Sequence, residues 1–143
     1  MLTGPERCVE EFRNGYNCSQ ALLAAYSKEV GLDKETALKV SSAFGGGMGC
    51  EGNVCGAATG ALMVLGLKYG NASAERGQSR SYDRAKDFLG RFRERNGSTL
   101  CKELLDCDIS TEEGMERATR DNLFTTVCPK IVRDAAEIVE GML

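Results

Sequence analysis

The sequence predicts an all-α fold: a compact single-domain bundle of about six to eight helices over residues 1–143. Three observations predict it. Apolar residues recur at helical spacing along most of the chain, and no segment has the alternating pattern of a half-buried strand. The chain has 143 residues, of which 42% are hydrophobic, and this is enough for one domain with its own core.

The first three helices are predicted from their start and stop signals. Pro5 suits the first turn of a short helix. Asn17 is a good N-cap for a second helix over about residues 18–30, which Gly31 ends. Asp33 caps a third helix, and this helix leads into the glycine-rich stretch FGGGMG.

The fourth helix, over about residues 55–69, is predicted to be central and buried because it carries little charge before Lys68. Gly60 and Gly66 within it would allow neighbouring helices to approach closely. A fifth helix follows over about residues 79–95 and is strongly basic on its outer face.

Capping signals and one proline predict the remaining helices. Ser98 is expected to cap a short sixth helix, and Ser110 with Glu113 forms a predicted capping box for the next. Pro129 either kinks a long C-terminal helix or starts a new one.

Composition excludes several function classes. The net charge is −3, so the overall charge does not favour nucleic acid. The chain has no histidine, which excludes Ser-His and Cys-His catalytic pairs and histidine-ligated haem. No apolar run could span a membrane, so we expect no membrane insertion. The charged start MLTGPERCVEEF does not resemble a signal peptide, and we therefore expect a cytoplasmic protein.

The basic fifth helix raises the question of a macromolecular partner. Residues 76–95 contain seven Lys or Arg and three Asp or Glu. We interpret this surface as a solvated face or a contact for an acidic partner, because the rest of the chain is acidic. The glycines of the buried fourth helix favour, without requiring, a homodimer.

Four of the seven cysteines are predicted at helix starts: Cys18, Cys55, Cys101 and Cys128. The free N–H groups and partial positive charge of a helix N-terminus stabilise a thiolate, which is both the nucleophile and the metal ligand. Burial opposes this effect, and a cysteine can also serve as a small core hydrophobe. Both interpretations stay open for these four residues.

The other three cysteines have different settings. Cys8 lies on the apolar side of the first helix and is expected in the core, while Cys107 lies in a polar loop and is left unassigned. Cys50 lies within the glycine loop, close enough in sequence to form a bridge with Cys55. We treat Cys50 as an accessory thiol.

The glycines of the loop could build an anion-binding turn at the start of the fourth helix. The candidates are Gly45, Gly46, Gly47, Gly49 and Gly56. The loop is neither a Walker A motif nor a dinucleotide fingerprint, since no strand precedes it and no lysine follows its last glycine. A sharp turn that needs positive φ is an equally good explanation.

The motif CGAATG, Cys55 to Gly60, resembles the CGAxxG motif of the C_GCAxxG_C_C family, which is described as redox-active. GYNCSQALLAAY, FGGGMG, CKELLDCDIST and CPKIVRDAAEIVEGML resemble further segments of that family in the same order. The resemblance implies a helical redox protein whose four characteristic cysteines correspond to Cys18, Cys55, Cys101 and Cys128.

Three functional hypotheses follow from the residues and this resemblance. In the first, the protein is a thiol-dependent oxidoreductase: Cys55 is the nucleophile, Cys18, Cys101 or Cys128 resolves it, and Cys50 is a local alternative. Its partner would be a redox protein or a small oxidised-sulfur substrate. In the second, the same four cysteines hold a zinc or iron ion or an iron–sulfur cluster; apart from these metals the sequence identifies no cofactor, and the absence of any cofactor stays open. In the third, the chain is a non-catalytic helical interaction module.

Overall fold

The computed structural model describes residues 1–143 and confirms the all-α bundle. In chain order the helices are α1 Gly4–Arg13, α2 Cys18–Tyr26, α3 Lys34–Ser41, α4 Gly56–Tyr69, α5 Ser79–Asn96, α6 Cys101–Leu104, α7 Glu112–Arg120, α8 Leu123–Thr126 and α9 Cys128–Met142. Seven of them have eight residues or more, while α6 and α8 are single turns. Short 3₁₀ turns follow α2 and α3.

The capping predictions for α2 and α3 are confirmed. Asn17 Oδ1 accepts a hydrogen bond from the Gln20 N–H at 2.9 Å, and Gln20 Oε1 accepts one from the Asn17 N–H at 3.0 Å. Asp33 caps α3 by accepting from the Thr36 N–H. These caps satisfy N–H groups that have no partner inside their helices. The second helix is shorter than predicted, because α2 ends at Tyr26 and a 3₁₀ turn continues the segment.

The predictions that Ser98 and Ser110 are caps are wrong. The Ser98 hydroxyl accepts from the Leu100 N–H, which closes a local turn ahead of α6. The Ser110 side chain hydrogen-bonds to Asp108, and Thr111 caps α7 instead. Serine hydroxyls bond equally well to backbone groups in turns, and sequence spacing alone does not separate the two uses.

Helices α2 and α4 pack closely because Gly60 has no side chain. The Cβ of an alanine at Gly60 would lie 2.7 Å from the Ser19 carbonyl oxygen and 2.8 Å from Leu22 Cβ. Gly66 faces open space, so the expected close approach there is wrong. The Gly60 contact brings the N-terminal ends of α2 and α4 together, which is what positions the candidate site.

The opposite end of α2 belongs to the main core. Tyr26, its last residue, is fully buried and its hydroxyl donates to the Ala136 carbonyl of α9 at 3.4 Å. Cys8 of α1 is also fully buried in this core, as predicted. Pro129 lies in the first turn of α9, so it starts a new helix. None of the helices has the length and apolar character needed to cross a lipid bilayer.

Candidate functional site

A cavity of about 350 Å³ opens where the glycine loop meets the first turns of α2 and α9. Five cysteines line it: Cys18, Cys50, Cys55, Cys101 and Cys128. All seven cysteines of the chain are free thiols. The structure therefore brings the four helix-start cysteines and the loop cysteine to one cavity.

Four donors converge on the sulfur of Cys18, the first residue of α2. The thiol of Cys55 contributes most, and the backbone N–H groups of Gly46, Ala57 and Cys18 itself supply the others. Together they lower the pKa of Cys18 from 9.0 to about 7, although burial opposes them. Because Ala57 is in the first turn of α4, the Cys18 sulfur lies at two helix N-termini at once.

Cys55 has the opposite electrostatic setting, although it also lies at a helix start. Its thiol is the hydrogen-bond partner of Cys18, and this contact together with burial raises the pKa of Cys55 well above its ordinary value. Cys55 occupies the N-cap position of α4, and its own N–H donates to the Thr99 carbonyl at 2.8 Å. The Ala57 N–H lowers the pKa of Cys55 as well, but the Cys18 contact and burial outweigh it.

Cys101 and Cys128 contribute neutral thiols to the cavity wall. Burial raises the pKa of each to about 12. The N–H of Cys101 is already used, because it donates to the Asn53 carbonyl at 2.7 Å. Helix α6, which Cys101 begins, is a single turn, so its partial positive charge is small. Cys128 is the first residue of α9 and is buried.

The glycine loop contains a left-handed run of backbone. Residues 46–50 all have φ between 61° and 73°, and two of them, Met48 and Cys50, are not glycine. A left-handed backbone costs a non-glycine residue about 1–2 kcal/mol. The loop closes on itself: the Met48 N–H donates to the Phe44 carbonyl and the Cys50 N–H to the Gly45 carbonyl. These N–H groups are therefore unavailable to an external anion.

The loop glycines mainly allow close approach to the cysteines. A Cβ at Gly47 would lie 2.8 Å from Cys101 Cβ, and one at Gly56 would lie 3.3 Å from the Cys18 sulfur. A Cβ at Gly45 would clash with Asn17, whereas one at Gly49 would meet nothing. Of these glycines, Gly46 is the one whose N–H lowers the pKa of Cys18, so it favours the Cys18 thiolate rather than an external anion.

Cys50 lies at the rim of the cavity and is exposed. Its left-handed backbone, with φ of 61°, folds the side chain back so that its sulfur would lie 2.7 Å from a Cβ at Gly46. The glycine that donates to Cys18 therefore also contacts Cys50. The bridge to Cys55 considered from the sequence is not formed, because both residues are free thiols.

Cys107 and Cys8 lie outside the cavity. The Cys107 thiol donates to the Gly114 carbonyl at 3.1 Å and so joins the loop before α7 to that helix. Burial raises the pKa of Cys8 to about 12. Both thiols are packed in the interior: Cys8 lies in the main core, and Cys107 packs in a smaller cluster with Cys101 and Cys128.

The arrangement of ligand atoms bears on the metal hypothesis. No group of three or more cysteine, aspartate or glutamate side chains is positioned to hold a metal ion. The cysteines meet around an apolar cavity rather than around a common centre. Among them, Cys18 and Cys55 are the pair whose hydrogen bond is the largest cause of the pKa shift of each.

Sequence reasoning named Gly46 as an anion-binding candidate without assigning it to Cys18, and it missed the backbone donor of Ala57. Each is a small residue next to a predicted cysteine site, and small size is what lets the Cys18 sulfur reach the backbone. The glycines and alanines of FGGG and CGAATG were the available signal. It could not be used without knowing that α2 packs on α4.

Comparison with known proteins identifies the family of the chain. The family model described as "Putative redox-active protein (C_GCAxxG_C_C)" matches residues 16–142, and the chain therefore belongs to that family. Neither the curated proteins nor the solved structures include a significant match. The matched segment contains all five cysteines of the cavity.

Proposed function

We propose that this member of the C_GCAxxG_C_C family is a thiol-dependent oxidoreductase whose redox pair is Cys18 and Cys55. One observation carries the proposal: the Cys18 sulfur lies in the same cavity as Cys55 and against the first turn of α4, 3.3 Å from where a Cβ at Gly56 would be. A hydrogen bond from Cys55 is also the largest cause of the lowered pKa of Cys18. A thiolate adjacent to a second thiol is the minimal arrangement for thiol–disulfide exchange. The proposal gives Cys18 the nucleophilic role that the sequence suggested for Cys55.

In the first step the Cys18 thiolate attacks one sulfur of a disulfide substrate. A bond forms between the Cys18 sulfur and that substrate sulfur, and the substrate S–S bond breaks. The second half of the substrate leaves as a thiolate and takes up a proton from water. Because the pKa of Cys18 is about 7, a large fraction of this thiol is ionised near neutral pH.

In the second step Cys55 resolves the mixed disulfide. The largest cause of its raised pKa is the hydrogen bond to Cys18, and the Cys18 charge adds to it. Both causes disappear once Cys18 is covalently bonded, while the Ala57 N–H still lowers the pKa of Cys55. Cys55 then loses its proton to water and attacks the Cys18 sulfur, which releases the first half of the substrate as a thiolate. Cys18 therefore reacts first, and Cys55 becomes a better nucleophile only after Cys18 has formed the mixed disulfide.

The products are two substrate thiols and a Cys18–Cys55 disulfide. The substrate has gained two electrons and the protein has lost two, so an external dithiol reductant must restore the pair. Cys50, exposed at the rim, is the thiol that such a reductant or a partner protein would reach first. Cys101 and Cys128, whose pKa values are raised, line the cavity as the other candidate resolving thiols.

Disulfide mapping after a single turnover tests the proposal. Anaerobically reduced protein is mixed with an equimolar small disulfide, quenched with acid and mapped by mass spectrometry. We expect a Cys18–Cys55 linkage in the wild type and a stable mixed disulfide on Cys18 in Cys55→Ala. The matched control, Cys8→Ala, should give the wild-type linkage.

Each other outcome has a defined meaning. A linkage from Cys18 to Cys50, Cys101 or Cys128 would keep the nucleophile and reject Cys55 as its partner. A mixed disulfide on Cys55 with Cys18 unmodified would reject the order of the two thiols. Seven unreactive thiols would reject redox chemistry and favour the interaction module.

A further inference from the structure

The cavity above the redox pair has walls without charge. Its apolar side chains come from five different segments and include Phe12, Leu105, Ile109, Phe124 and Val132. No Lys, Arg, Asp or Glu side chain lines it, although such residues make up 27% of the chain. A cavity that served charged disulfides would need at least one compensating side chain.

Apart from the thiols, the polar side chains of the wall are those of Asn17 and Ser42, and both already form hydrogen bonds within the protein. Asn17 Oδ1 accepts from the Gln20 N–H, and its Nδ2 donates to the Ser42 carbonyl at 3.0 Å. The Ser42 hydroxyl donates to the Lys39 carbonyl at 2.7 Å. A charged ligand would therefore lose its water and find no oppositely charged side chain in the wall, only the remaining hydrogen-bonding capacity of Asn17, Ser42 and the thiols.

The size and the charge of the site both restrict its occupant. A volume of about 350 Å³ is at the lower end of the range for small-molecule pockets, so it suits a small ligand. The Cys18 thiolate adds one negative charge at the base of the cavity, which would repel an anionic ligand. The volume thus favours a small ligand, and the apolar wall and the Cys18 charge favour a neutral one.

We propose that the substrate class of this site is a small, uncharged disulfide with apolar substituents, and that the cavity rejects disulfides that carry carboxylates. This inference rests on the proposed function for its redox step. That step is the one written above: the substrate S–S bond is reduced to two thiols, Cys18 and Cys55 are oxidised to a disulfide, and a dithiol reductant restores them. The preference itself depends only on the cavity walls.

A matched pair of chromogenic disulfides tests the preference. Dithiodipyridine is neutral near pH 8, whereas dithiobis(nitrobenzoate) carries two carboxylates, and both release a coloured thiol. The rate for each reagent is measured with the reduced protein and divided by its rate with the same protein unfolded in denaturant. We expect the normalised rate to be about 100-fold higher for the neutral reagent, because a buried carboxylate would be unpaired. Equal normalised rates would overturn the proposal.

Equilibrium binding separates this inference from the redox proposal. Diphenyl sulfide resembles an apolar disulfide but cannot react, and its dicarboxylate derivative is the charged control. Binding is followed by the NMR methyl signals of Ile131 and Val132, which lie on the wall. We expect binding of the neutral thioether to reduced wild type and to Cys18→Ala. Leu104→Phe, at a partly buried wall position, should weaken that binding by filling the cavity.

Together the two experiments distinguish a failure of the redox proposal from a failure of the proposed substrate class. If the neutral thioether binds but Cys18 reacts with neither disulfide, the redox proposal fails and the apolar ligand site stands. If the dicarboxylate binds as tightly as the neutral compound, or if neither binds to the folded protein, the substrate class is wrong. Retention of neutral binding in a folded Leu104→Phe variant would place the ligand outside this cavity.

Discussion

The two ends of helix α2 lie near cysteines whose pKa values shift in opposite directions. At its first residue, Cys18, the pKa falls to about 7. Near its last residue, Tyr26, the helix packs in the core that contains Cys8, whose pKa rises to about 12. Desolvation acts on both thiols and raises the pKa of both.

The difference lies in the donors that reach each sulfur. Cys18 has a thiol and three N–H groups aimed at it, whereas the neighbours that shift the pKa of Cys8, apart from Arg7, are acidic and raise it further. Burial alone therefore makes a cysteine inert, and the small residues that expose backbone N–H groups make it reactive. The comparison predicts that changes at the two ends of α2 separate reactivity from stability.

The largest expected effect is the loss of the reactive thiol in Cys18→Ser. We expect the fast phase of alkylation of the buried cavity thiols at neutral pH to slow by about 100-fold or more, because the pKa values of the other three, Cys55, Cys101 and Cys128, are raised. Cys8→Ser is the matched control: it should leave the fast phase intact and lower the free energy of unfolding by about 1–3 kcal/mol, since it buries a hydroxyl. A fast phase that survives Cys18→Ser would show that another thiol is activated.

The next effect concerns the contact that holds the two helix N-termini together. Gly60→Ala should lower the free energy of unfolding by about 1–3 kcal/mol, because the added Cβ would lie 2.7 Å from the Ser19 carbonyl oxygen. Gly66→Ala in the same helix meets open space and should raise that free energy by about 0.5–1 kcal/mol. Chemical denaturation measures both. Equal effects of the two substitutions would contradict the close packing of α2 on α4.

A smaller effect should follow from the Cys55 thiol. Its hydrogen bond is the largest cause of the lowered pKa of Cys18, so Cys55→Ala should move that pKa back toward its ordinary value. A higher pKa means less thiolate at neutral pH, and we expect Cys18 to be alkylated about tenfold more slowly there. Cys55→Ser keeps an O–H donor and should restore much of the rate. Alkylation rates across pH measure this, and identical profiles for the two variants would reject the hydrogen bond as the cause.

The smallest effect concerns the left-handed loop that carries the Gly46 N–H. Met48→Gly should raise the free energy of unfolding by about 0.5–1 kcal/mol, because relief of the left-handed strain exceeds the added flexibility of the unfolded chain. The same substitution at Met115, inside helix α7, should lower that free energy by about 1 kcal/mol or more. Thermal or chemical denaturation distinguishes them. Destabilisation by Met48→Gly would indicate that the loop is not strained.

Much of the fold could be predicted from local signals in the sequence. Helical periodicity gave the all-α class, and side-chain caps at Asn17 and Asp33 marked two helix starts correctly. The helix-start pattern of the cysteines is also present in the structure, with Cys55 one position earlier than the others, at the N-cap. Local chemistry determines these features, so a local pattern was sufficient.

The identity of the ionised thiol could not be predicted, because it depends on contacts between segments distant in sequence. Gly46 belongs to the loop and Ala57 to α4, yet both donate to Cys18 of α2. In the sequence these donors lie near Cys55. The packing of α2 on α4 brings them to the sulfur of Cys18. The Ser98 and Ser110 caps failed for a related reason, since both hydroxyls bond to nearer turn partners.

The most direct test of the central claim is an anaerobic pH titration of the seven cysteines, labelled with ¹³C at Cβ and followed by NMR. Assignment by single Cys→Ser variants identifies each signal. We predict that Cys18 ionises first, with a midpoint near pH 7, and that Cys8, Cys101 and Cys128 remain protonated far above it. If Cys55 ionises before Cys18, or if no thiol ionises below its ordinary pKa, the account of a Cys18 thiolate held by two helix starts is wrong.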